Sequence, residues 1–158
     1  MTEHVSALPN RFGEATGDNA GDLDYINRVG LGALATGMGI EVTEFRRDRA
    51  VATMPAKGNT QPFGIVHGGA YAVLGETLGS MHAGFIAPEG KIPVGVDLNA
   101  THTGSVSEGT VTGVCTPIHT GRSMTVHEIV VSDESGRRCS TIRITNFYKT
   151  MPAAAPTA

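Results

Sequence analysis

The feature of this chain best suited to chemistry is a lone carboxylate, Glu76. Between Gln61 and Pro88 it is the one residue certain to be charged at neutral pH. It lies in a run of apolar and small residues that predicts a long helix, opening near Gly68 and ending by Pro88. A helix that is apolar or small on every face is expected to be enclosed by protein. An enclosed carboxylate is costly unless it is paired or hydrogen-bonded, and no Lys or Arg lies within helical reach. Glu76 is therefore the leading candidate for a catalytic residue.

Two glycines, Gly68 and Gly69, stand at the predicted start of this helix. One interpretation is a tight entry turn. The other is functional, because the first N–H groups of a helix have no partner within it and the helix dipole stabilises negative charge there. Since glycine has no Cβ, an acyl oxygen can approach such an N–H closely and be polarised as it becomes an oxyanion. Both interpretations stay open on the sequence alone.

The spacing between the amide and the acid predicts how the site is assembled. Glu76 follows Gly68 by eight residues, which is about 12 Å along a helix axis, too far for the carboxylate to reach a carbonyl at its own helix start. Two such helices packed antiparallel, crossing near Ala72, would bring Gly68 of one subunit opposite Glu76 of the other. The spacing therefore favours a homodimer with two shared sites. Small residues that would permit this approach recur along the helix: Ala72, Gly75, Gly79 and Ala83.

Three further side chains flank these two groups. Gln61 and His67 precede the glycines, and Ser80 lies four residues after Glu76 on the same helix face, where its hydroxyl can orient the carboxylate or a water. The plain alternative for Gln61 is an ordinary loop residue, and for His67 it is an N-terminal helix cap.

This set of groups suits a thioester better than an amide. Amide hydrolysis normally needs a general acid for its poor leaving group, whereas a thiol ionises near pH ~8.5 and leaves unaided as a thiolate. One Glu acting as nucleophile or as base toward water, with one oxyanion donor, is then sufficient. The Gly-x-Ser-x-Gly elbow of serine hydrolases does not occur in the sequence.

The composition limits the class of protein. The 158 residues suffice for one domain with a real core, and 12 Lys and Arg against 15 Asp and Glu give a net charge of -3, which offers no general attraction to nucleic acid. Two cysteines, Cys115 and Cys139, form neither a disulfide framework nor a metal-ligand cluster and are interpreted as small buried residues. No segment predicts a membrane span or a secretory signal, so we expect a cytoplasmic protein with no metal and no membrane partner.

The chain is predicted to divide into a flexible N-terminal arm, a single domain and a disordered tail, over residues 1–21, 22–149 and 150–158. Short polar links between the later strands imply antiparallel neighbours. The expected fold is α+β, a curved antiparallel sheet wrapped around one long central helix. Besides that helix, the patterns predict a short helix over 22–30 and strands over 40–45, 50–55, 92–101, 109–117, 123–132 and 138–148.

Several runs of residues carry a resemblance to a known family. The run Gln-Pro-Phe-Gly-Ile-Val-His-Gly-Gly-Ala that begins at Gln61, followed by Glu76 and Ser80, resembles the hotdog-fold acyl-CoA thioesterases. Within them it matches the branch of 4-hydroxybenzoyl-CoA thioesterase and 1,4-dihydroxy-2-naphthoyl-CoA hydrolase. The resemblance extends over roughly residues 59–145. The later runs are most similar to the naphthoyl-CoA enzyme of menaquinone synthesis: Val94–His102, Glu108-Gly109, Gly113–His119 and Gly136–Cys139.

The resemblance implies a role for each candidate residue. Glu76 would be nucleophile or base, Gly68 N–H would polarise the carbonyl, Gln61 and His67 would assist at the thioester, and Ser80 would serve the hydrolytic water. It also implies dimers paired into tetramers, and no cofactor besides the coenzyme A of the substrate. Substrate and coenzyme A contacts are implied at Gly69, His102, Ser105, His119, Thr120, Gly121 and Arg122.

One departure from the family pattern concerns a phosphate contact. Similar chains often carry a basic residue where Gly104 stands, and Arg122 is a candidate to replace it. Without the resemblance, His119 and Arg122 would be interpreted as parts of an ordinary solvated hairpin turn. His82 and His127 are assigned to structure.

The leading hypothesis is therefore an acyl-CoA thioesterase for an aromatic acyl group, with 1,4-dihydroxy-2-naphthoyl-CoA of menaquinone biosynthesis as the best single substrate. Two alternatives stay open, a non-catalytic acyl-CoA-binding or regulatory hotdog module and a thioesterase for medium-chain aliphatic acyl-CoA. A hotdog hydratase is disfavoured, because it needs an Asp and His pairing early in the helix and no Asp stands there.

Overall fold

The computed structural model describes residues 23–150, so the predicted arm and nearly all of the predicted tail lie outside the described residues. Three helices and six strands follow one another in this range. Their bounds are α1 Leu23–Val29, α2 Gly32–Gly37, β1 Glu41–Phe45, β2 Ala50–Pro55, α3 Gly68–Phe85, β3 Lys91–His102, β4 Thr110–Thr120, β5 Met124–Ser132 and β6 Arg138–Thr150.

The strands form one antiparallel sheet in the order β1-β2-β4-β5-β6-β3. Burial alternates residue by residue along β5 and much of β6, as expected for a sheet that covers its core on one face only. The inward side chains, among them Ile129, Ile142 and Ile144, pack around α3, which contacts five of the six strands. The predicted architecture of a sheet wrapped around one central helix is confirmed.

The helix α3 begins at Gly68 and ends at Phe85, within the limits predicted from the sequence. The short helix α2 was not predicted, because its six residues lie in a stretch with four glycines that carries no capping signal. Gly30 and Gly32 adopt positive φ angles of 77° and 79°, which separate α2 from α1. Within residues 23–150, no helix combines the length and the apolar character that a membrane span requires.

The small residues along α3 pack against this chain's own sheet, which corrects their predicted role in an approach between subunits. A Cβ on Gly75 would lie 2.8 Å from Cδ1 and Cγ2 of Ile142, and a Cβ on Gly79 would collide with Ile144. These isoleucines fill the space that the glycines leave, so the helix lies close to β6. The stripe therefore positions α3 within the subunit.

The long strand β3 is an edge of the sheet, paired with β6 on one side only. Its ladder with β6 is interrupted between Gly95 and Asp97, where Val96 is an extra residue with no partner across the sheet. Two of its apolar side chains are exposed in the single chain, Val96 at 58% and Leu98 at 38%. An exposed apolar edge strand is a surface that favours pairing with another strand.

The two histidines assigned to structure, His82 and His127, are completely buried against each other. His82 Nε2 lies 2.8 Å from the carbonyl oxygen of Arg46, and His82 Nδ1 lies 2.9 Å from His127 Nε2. A carbonyl only accepts, so Nε2 of His82 carries the proton and its Nδ1 accepts from His127. Both rings are thereby held in defined neutral forms.

Candidate active site

A cavity of about 380 Å³ opens at the N-terminus of α3. Five of the residues singled out from the sequence line it together: Gln61, His67, Gly68, His102 and Ser105. None of its other lining residues is charged; they are Pro62, Ile65, Val66, Tyr71 and Gly104. The cavity therefore combines an apolar wall with the polar groups at the start of the helix.

The N-terminus of α3 leaves one amide available to a substrate. His67 is the N-cap of the helix, and its Nδ1 accepts a hydrogen bond of 2.8 Å from the Gly69 N–H. The capping interpretation of His67 is thus correct, and the Gly69 amide is already used. Within residues 23–150 no acceptor meets the Gly68 N–H. Gly68 itself lines the cavity, at the helix start where the helix dipole favours negative charge.

His102 lies directly beside this amide. Its Nε2 is 2.8 Å from the point that a Cβ on Gly68 would occupy, so only glycine fits there without moving the ring. On its other side, His102 Nδ1 is 2.9 Å from the Ser140 hydroxyl, which donates to the Thr101 carbonyl. Ser140 then accepts from Nδ1–H, which leaves Nε2 of the neutral ring as an acceptor toward the cavity.

Tyr71 packs against the His102 ring, with ring centroids 5.5 Å apart. Tyr71 is almost fully buried, and burial raises the pKa of its phenol to about 12. The phenol therefore stays neutral at pH 7 and acts as an aromatic wall of the cavity.

Gln61 belongs to a compact loop that closes the same cavity. Its backbone N–H donates to the Ile65 carbonyl at 2.8 Å, and its side-chain Oε1 accepts from the Phe63 N–H at 3.3 Å. The loop is tied further by an isolated bridge between Thr60 and Val66. The Gln61 amide nitrogen remains available toward the cavity, in keeping with a polar contact to a substrate.

Glu76 lies half-buried at the middle of α3, so a single chain encloses it less than the sequence predicted. The Ser80 hydroxyl is 3.3 Å from Glu76 Oε1, which is the contact that their spacing predicts. Ser80 also lies 3.2 Å from Oδ1 of Asn146 on β6. The same Glu76 oxygen is 2.8 Å from the point that a Cβ on Gly95 would occupy. The carboxylate therefore rests on the bare backbone of β3, at the start of its bulge.

The acid and the free amide are apart in one chain. Neither Glu76 nor Ser80 lines the cavity that holds Gly68. Within residues 23–150, no Lys, Arg or His forms an ion pair with Glu76. Within residues 23–150, the chain thus presents an N–H donor without an acceptor at the N-terminus of α3 and a carboxylate without a cationic partner near the middle of α3.

The predicted coenzyme A contacts fall into two separate places. His102 and Ser105 lie at the N-terminal end of α3, whereas Thr120, Gly121 and Arg122 line another cavity of about 460 Å³. That cavity lies against the residues that follow α3, and it also contains Arg47, Ile86, Pro88, Thr125 and Tyr148. His119 does not line it; its ring folds over Gly121, with Nε2 2.7 Å from the position of a Cβ there.

A cation does lie beside Gly104, but it is Arg137. Arg137 Nη1 is 3.4 Å from the point that a Cβ on Gly104 would occupy, and Nη2 donates to the Ser105 carbonyl at 2.8 Å. Its Nε pairs with Asp133 at 2.9 Å. Within this chain Arg122 lines the other cavity, apart from Gly104.

Sequence reasoning did not single out Gly95, Asn146, Tyr71 or Ser140 as parts of the site. Gly95 and Asn146 meet Glu76 and Ser80 because they pair across β3 and β6, a register that no local pattern reveals. The one available signal was Asn146 itself, a polar residue at an inward position of a strand whose neighbouring inward residues, Ile144 and Tyr148, bury hydrophobic rings or chains. Across residues 23–150, His, Cys, Asp and Glu side chains nowhere form a group of three that would hold a metal ion.

Comparisons with known proteins agree on one family. The thioesterase superfamily matches residues 63–140. The proofreading thioesterase EntH of Cronobacter turicensis is 46% identical over 123 residues, which cover 77% of this chain and 90% of that protein. The structure of thioesterase HI1161 from Haemophilus influenzae aligns with a TM-score of 0.77 and 36% identity, covering 82% of this chain and 91% of that one. A mutant of thioesterase PA1618 from Pseudomonas aeruginosa aligns with a TM-score of 0.76 and 30% identity, covering 87% and 97%.

Proposed function

Since this chain belongs to the thioesterase superfamily and has the hotdog fold, we propose that it hydrolyses acyl-CoA thioesters with Glu76 as nucleophile or as base toward water. The observation that carries the proposal is the pair of groups on α3, the Gly68 residue whose N–H meets no acceptor within residues 23–150 and the Glu76 carboxylate, which has no cationic partner there and is held by Ser80. An oxyanion donor and a carboxylate suffice for a thioester, because the thiolate needs no general acid to leave.

The reaction can follow either of two balanced routes. As a base, Glu76 removes a proton from water while the water oxygen bonds to the carbonyl carbon. As a nucleophile, Glu76 forms that bond itself, and water then cleaves the resulting anhydride. In both routes the Gly68 N–H stabilises the negative oxygen, the C–S bond breaks, and the sulfur leaves with the electron pair and later takes up a proton. We propose that Gln61 and His67 hold the thioester, since both line the cavity that contains Gly68.

We assign the active site to the interface of a homodimer. The separation of Gly68 from Glu76 along one helix supports this, as does the exposed apolar edge of β3. Pairing β3 with its symmetry copy would place the Gly95 bulge, and the carboxylate resting on it, next to the second subunit. Pairing of dimers into tetramers, implied by the resemblance, stays a proposal.

For the substrate we favour an aromatic acyl-CoA, with 1,4-dihydroxy-2-naphthoyl-CoA of menaquinone biosynthesis as the best single candidate. The uncharged wall of the Gly68 cavity, with Tyr71, Ile65 and Val66, suits an aromatic ring or a short apolar chain. A cytoplasmic location accords with such a substrate.

The phosphates of coenzyme A require cations, and these lie outside the Gly68 cavity. Arg137 has a free Nη1 beside Gly104, while Arg47 and Arg122 share the cavity at the far end of α3. We favour Arg137 for the phosphates of a substrate whose acyl group lies at Gly68 of the same chain, since it lies beside Gly104 and bonds to Ser105, both of which line that cavity.

A second candidate function is proofreading. The relative from Cronobacter turicensis is named a proofreading thioesterase and shares 46% identity with this chain. A proofreading enzyme removes acyl groups that should not have been attached, so it accepts several acyl groups with similar kcat/KM. A biosynthetic enzyme prefers one. A panel of aryl and fatty acyl-CoAs separates these two functions.

The central experiment measures thiol release over that panel for the wild type, Glu76→Gln and Glu76→Ala. Loss of a positioned base or nucleophile predicts a fall in rate of at least about 100-fold in both variants. Glu89→Gln, at an exposed glutamate just after α3, is the matched control and keeps the wild-type rate. Full turnover by Glu76→Gln would remove Glu76 from the mechanism. Tight acyl-CoA binding without thiol release by the wild type would favour the non-catalytic binding module.

A complementation experiment tests the shared site. Glu76→Ala and Gly68→Val subunits are each inactive alone, because one lacks the acid and the other blocks the amide. In hybrid dimers one of the two sites contains both intact groups, so part of the activity returns. Verified hybrids that stay inactive would contradict the shared site.

A further inference from the structure

The Ser80 hydroxyl lies between two oxygen atoms, Glu76 Oε1 at 3.3 Å and Asn146 Oδ1 at 3.2 Å. A serine hydroxyl has one proton, so it cannot donate to both. An ionised carboxylate only accepts, and a carbonyl oxygen only accepts. With this orientation of the amide, either the Ser80–Glu76 contact or the Ser80–Asn146 contact has no proton between its two oxygens.

The other end of the Asn146 amide has the complementary problem. Asn146 is 0% exposed, and among residues 23–150 its Nδ2 meets no hydrogen-bond partner. Leaving such a donor buried and unsatisfied destabilises the folded protein. Turning the amide by 180° removes the first problem, because the oxygen and nitrogen of a carboxamide are nearly equal in shape and exchange places. The turn leaves the amide oxygen, in place of the nitrogen, at the unsatisfied position.

We propose that Asn146 is a positioning residue whose Nδ2–H donates to Ser80, so that the Ser80 proton is committed to the Glu76 carboxylate. This relay consists of two hydrogen bonds, one from Asn146 on β6 to Ser80 on α3 and one from Ser80 to Glu76. Each bond then has one donor and one acceptor. The relay rests on the proposed role of Glu76 in thioester hydrolysis.

The position of Asn146 in the sheet supports this role. The other inward residues of this part of β6 are Ile142, Ile144 and Tyr148, all buried in the core. A carboxamide in that row gives nothing to packing that leucine would not give. It faces Gly95 across the ladder, which is the residue whose backbone the Glu76 carboxylate touches. The one polar side chain of the row thus stands where the carboxylate and its serine meet the sheet.

The relay has a consequence for catalysis. With its proton committed, Ser80 stabilises the ionised acid and holds one of its oxygens, so the other oxygen stays free for water or the thioester. Without Asn146, the Ser80 hydroxyl is free to rotate away and the acid loses a preferred orientation. The effect should appear in kcat and in the acid limb of the pH–rate profile, with little change in KM.

The test uses the neutral, nearly isosteric variant Asn146→Leu, together with Ser80→Ala and the double variant. Thr145→Val, at the adjacent outward position of β6, is the control and keeps the wild-type profile. We expect Asn146→Leu to lower kcat about 10-fold and to move the acid limb of kcat/KM to higher pH, with KM within about 3-fold. Its thermal midpoint should equal or exceed that of the wild type, because leucine removes a buried amide with an unsatisfied atom and packs beside Ile144 and Tyr148.

The double variant distinguishes the relay from independent effects. If Asn146 acts through Ser80, adding Asn146→Leu to Ser80→Ala lowers kcat no further. Additive losses, or a wild-type kcat and acid limb in Asn146→Leu, would overturn the relay. If Asn146→Leu does not fold, Asn146→Ala serves instead, and it too should add nothing to the loss of kcat in Ser80→Ala. These outcomes are distinct from failure of the proposed function, in which Glu76→Gln itself keeps its activity.

Discussion

At the scale of single residues, the position of Glu76 depends on the absence of a side chain at Gly95. The carboxylate oxygen occupies the space beside that glycine, 2.8 Å from where a Cβ would stand. The acid is thereby placed against the strand that forms the edge of the sheet. Its location follows from a glycine on another element as much as from its own place in the helix.

We therefore expect Gly95→Ala to reduce kcat by at least about 10-fold while the protein stays folded. The new methyl group displaces the carboxylate, which is the end of a flexible side chain and yields at little cost in stability. Steady-state kinetics with an acyl-CoA and a thermal melt measure the two effects. Gly37→Ala is the control, because a Cβ there meets nothing within 4 Å. Equal kcat in both variants would contradict the role given to Gly95.

The residues that sequence reasoning identified are those whose relation is local. Gly68 and Glu76 share one helix, so helical geometry gives their separation, and the four-residue spacing of Ser80 from Glu76 predicts the contact that is observed. Gly95 and Asn146 escaped identification, because they reach the acid through the register of two strands that are about 50 residues apart in the chain.

At the scale of elements, α3 is covered by the sheet of its own chain, whereas β3 has exposed apolar residues. The small residues of α3 were expected to face a second subunit, but isoleucines of the sheet fill the space beside Gly75 and Gly79. A stripe of small residues in a sequence indicates that another element can pack closely against the helix. It does not indicate whether that element is a strand of the same chain or a helix of a second subunit. The strand β3 is an edge of the sheet, and its apolar residues Val96 and Leu98 remain exposed within the single chain.

A charge on this strand tests the proposed dimer, in which β3 of one subunit pairs with β3 of the other. We expect Leu98→Lys to convert a dimer to a monomer, because two like charges would meet at a symmetric β3 interface, and to abolish turnover as the shared site is lost. Light scattering after size exclusion gives the mass, and circular dichroism checks the fold. Leu34→Lys on α2 is the matched control, since Leu34 is 66% exposed. An active monomeric Leu98→Lys protein would contradict the shared site.

At the scale of the whole molecule, the buried pair of His82 and His127 links three parts of the fold. It connects α3 to β5 and, through the Arg46 carbonyl, to the turn between β1 and β2. Burial lowers the pKa of His82, and burial together with the neighbouring His82 lowers the pKa of His127 to about 3. Folding thus requires both rings to be neutral.

The stability of the protein should therefore fall in acid. An unfolded histidine takes up a proton near pH 6.5, whereas the folded pair does not, so the unfolded chain binds more protons below that pH. His127 alone then reduces the free energy of unfolding by about 2 kcal/mol between pH 7 and pH 5, and the loss continues toward pH 3. Urea unfolding over this range measures it. His127→Gln should flatten the dependence, and an unchanged slope would exclude the pair as its cause.

The order of the elements and their antiparallel pairing were predictable, because strands of alternating pattern joined by short turns have few other arrangements. The edge position of β3 was not. In the sheet β3 pairs with β6 and not with β2 or β4, its neighbours in the sequence, because the connection through α3 crosses the sheet. The helix α2 was missed because six residues rich in glycine carry too weak a periodic signal.

The bulge in β3 has a consequence for how this sheet tolerates change. Val96 has no partner, while Gly95 and Asp97 pair with adjacent residues of β6. Deleting Val96 would leave every cross-strand partner in place and give a more regular ladder. The same deletion would shift the backbone on which the acid rests. At this position a regular β-ladder and the correct placement of Glu76 require different chain lengths. The extra residue Val96 preserves the placement of the acid at the expense of regular strand pairing.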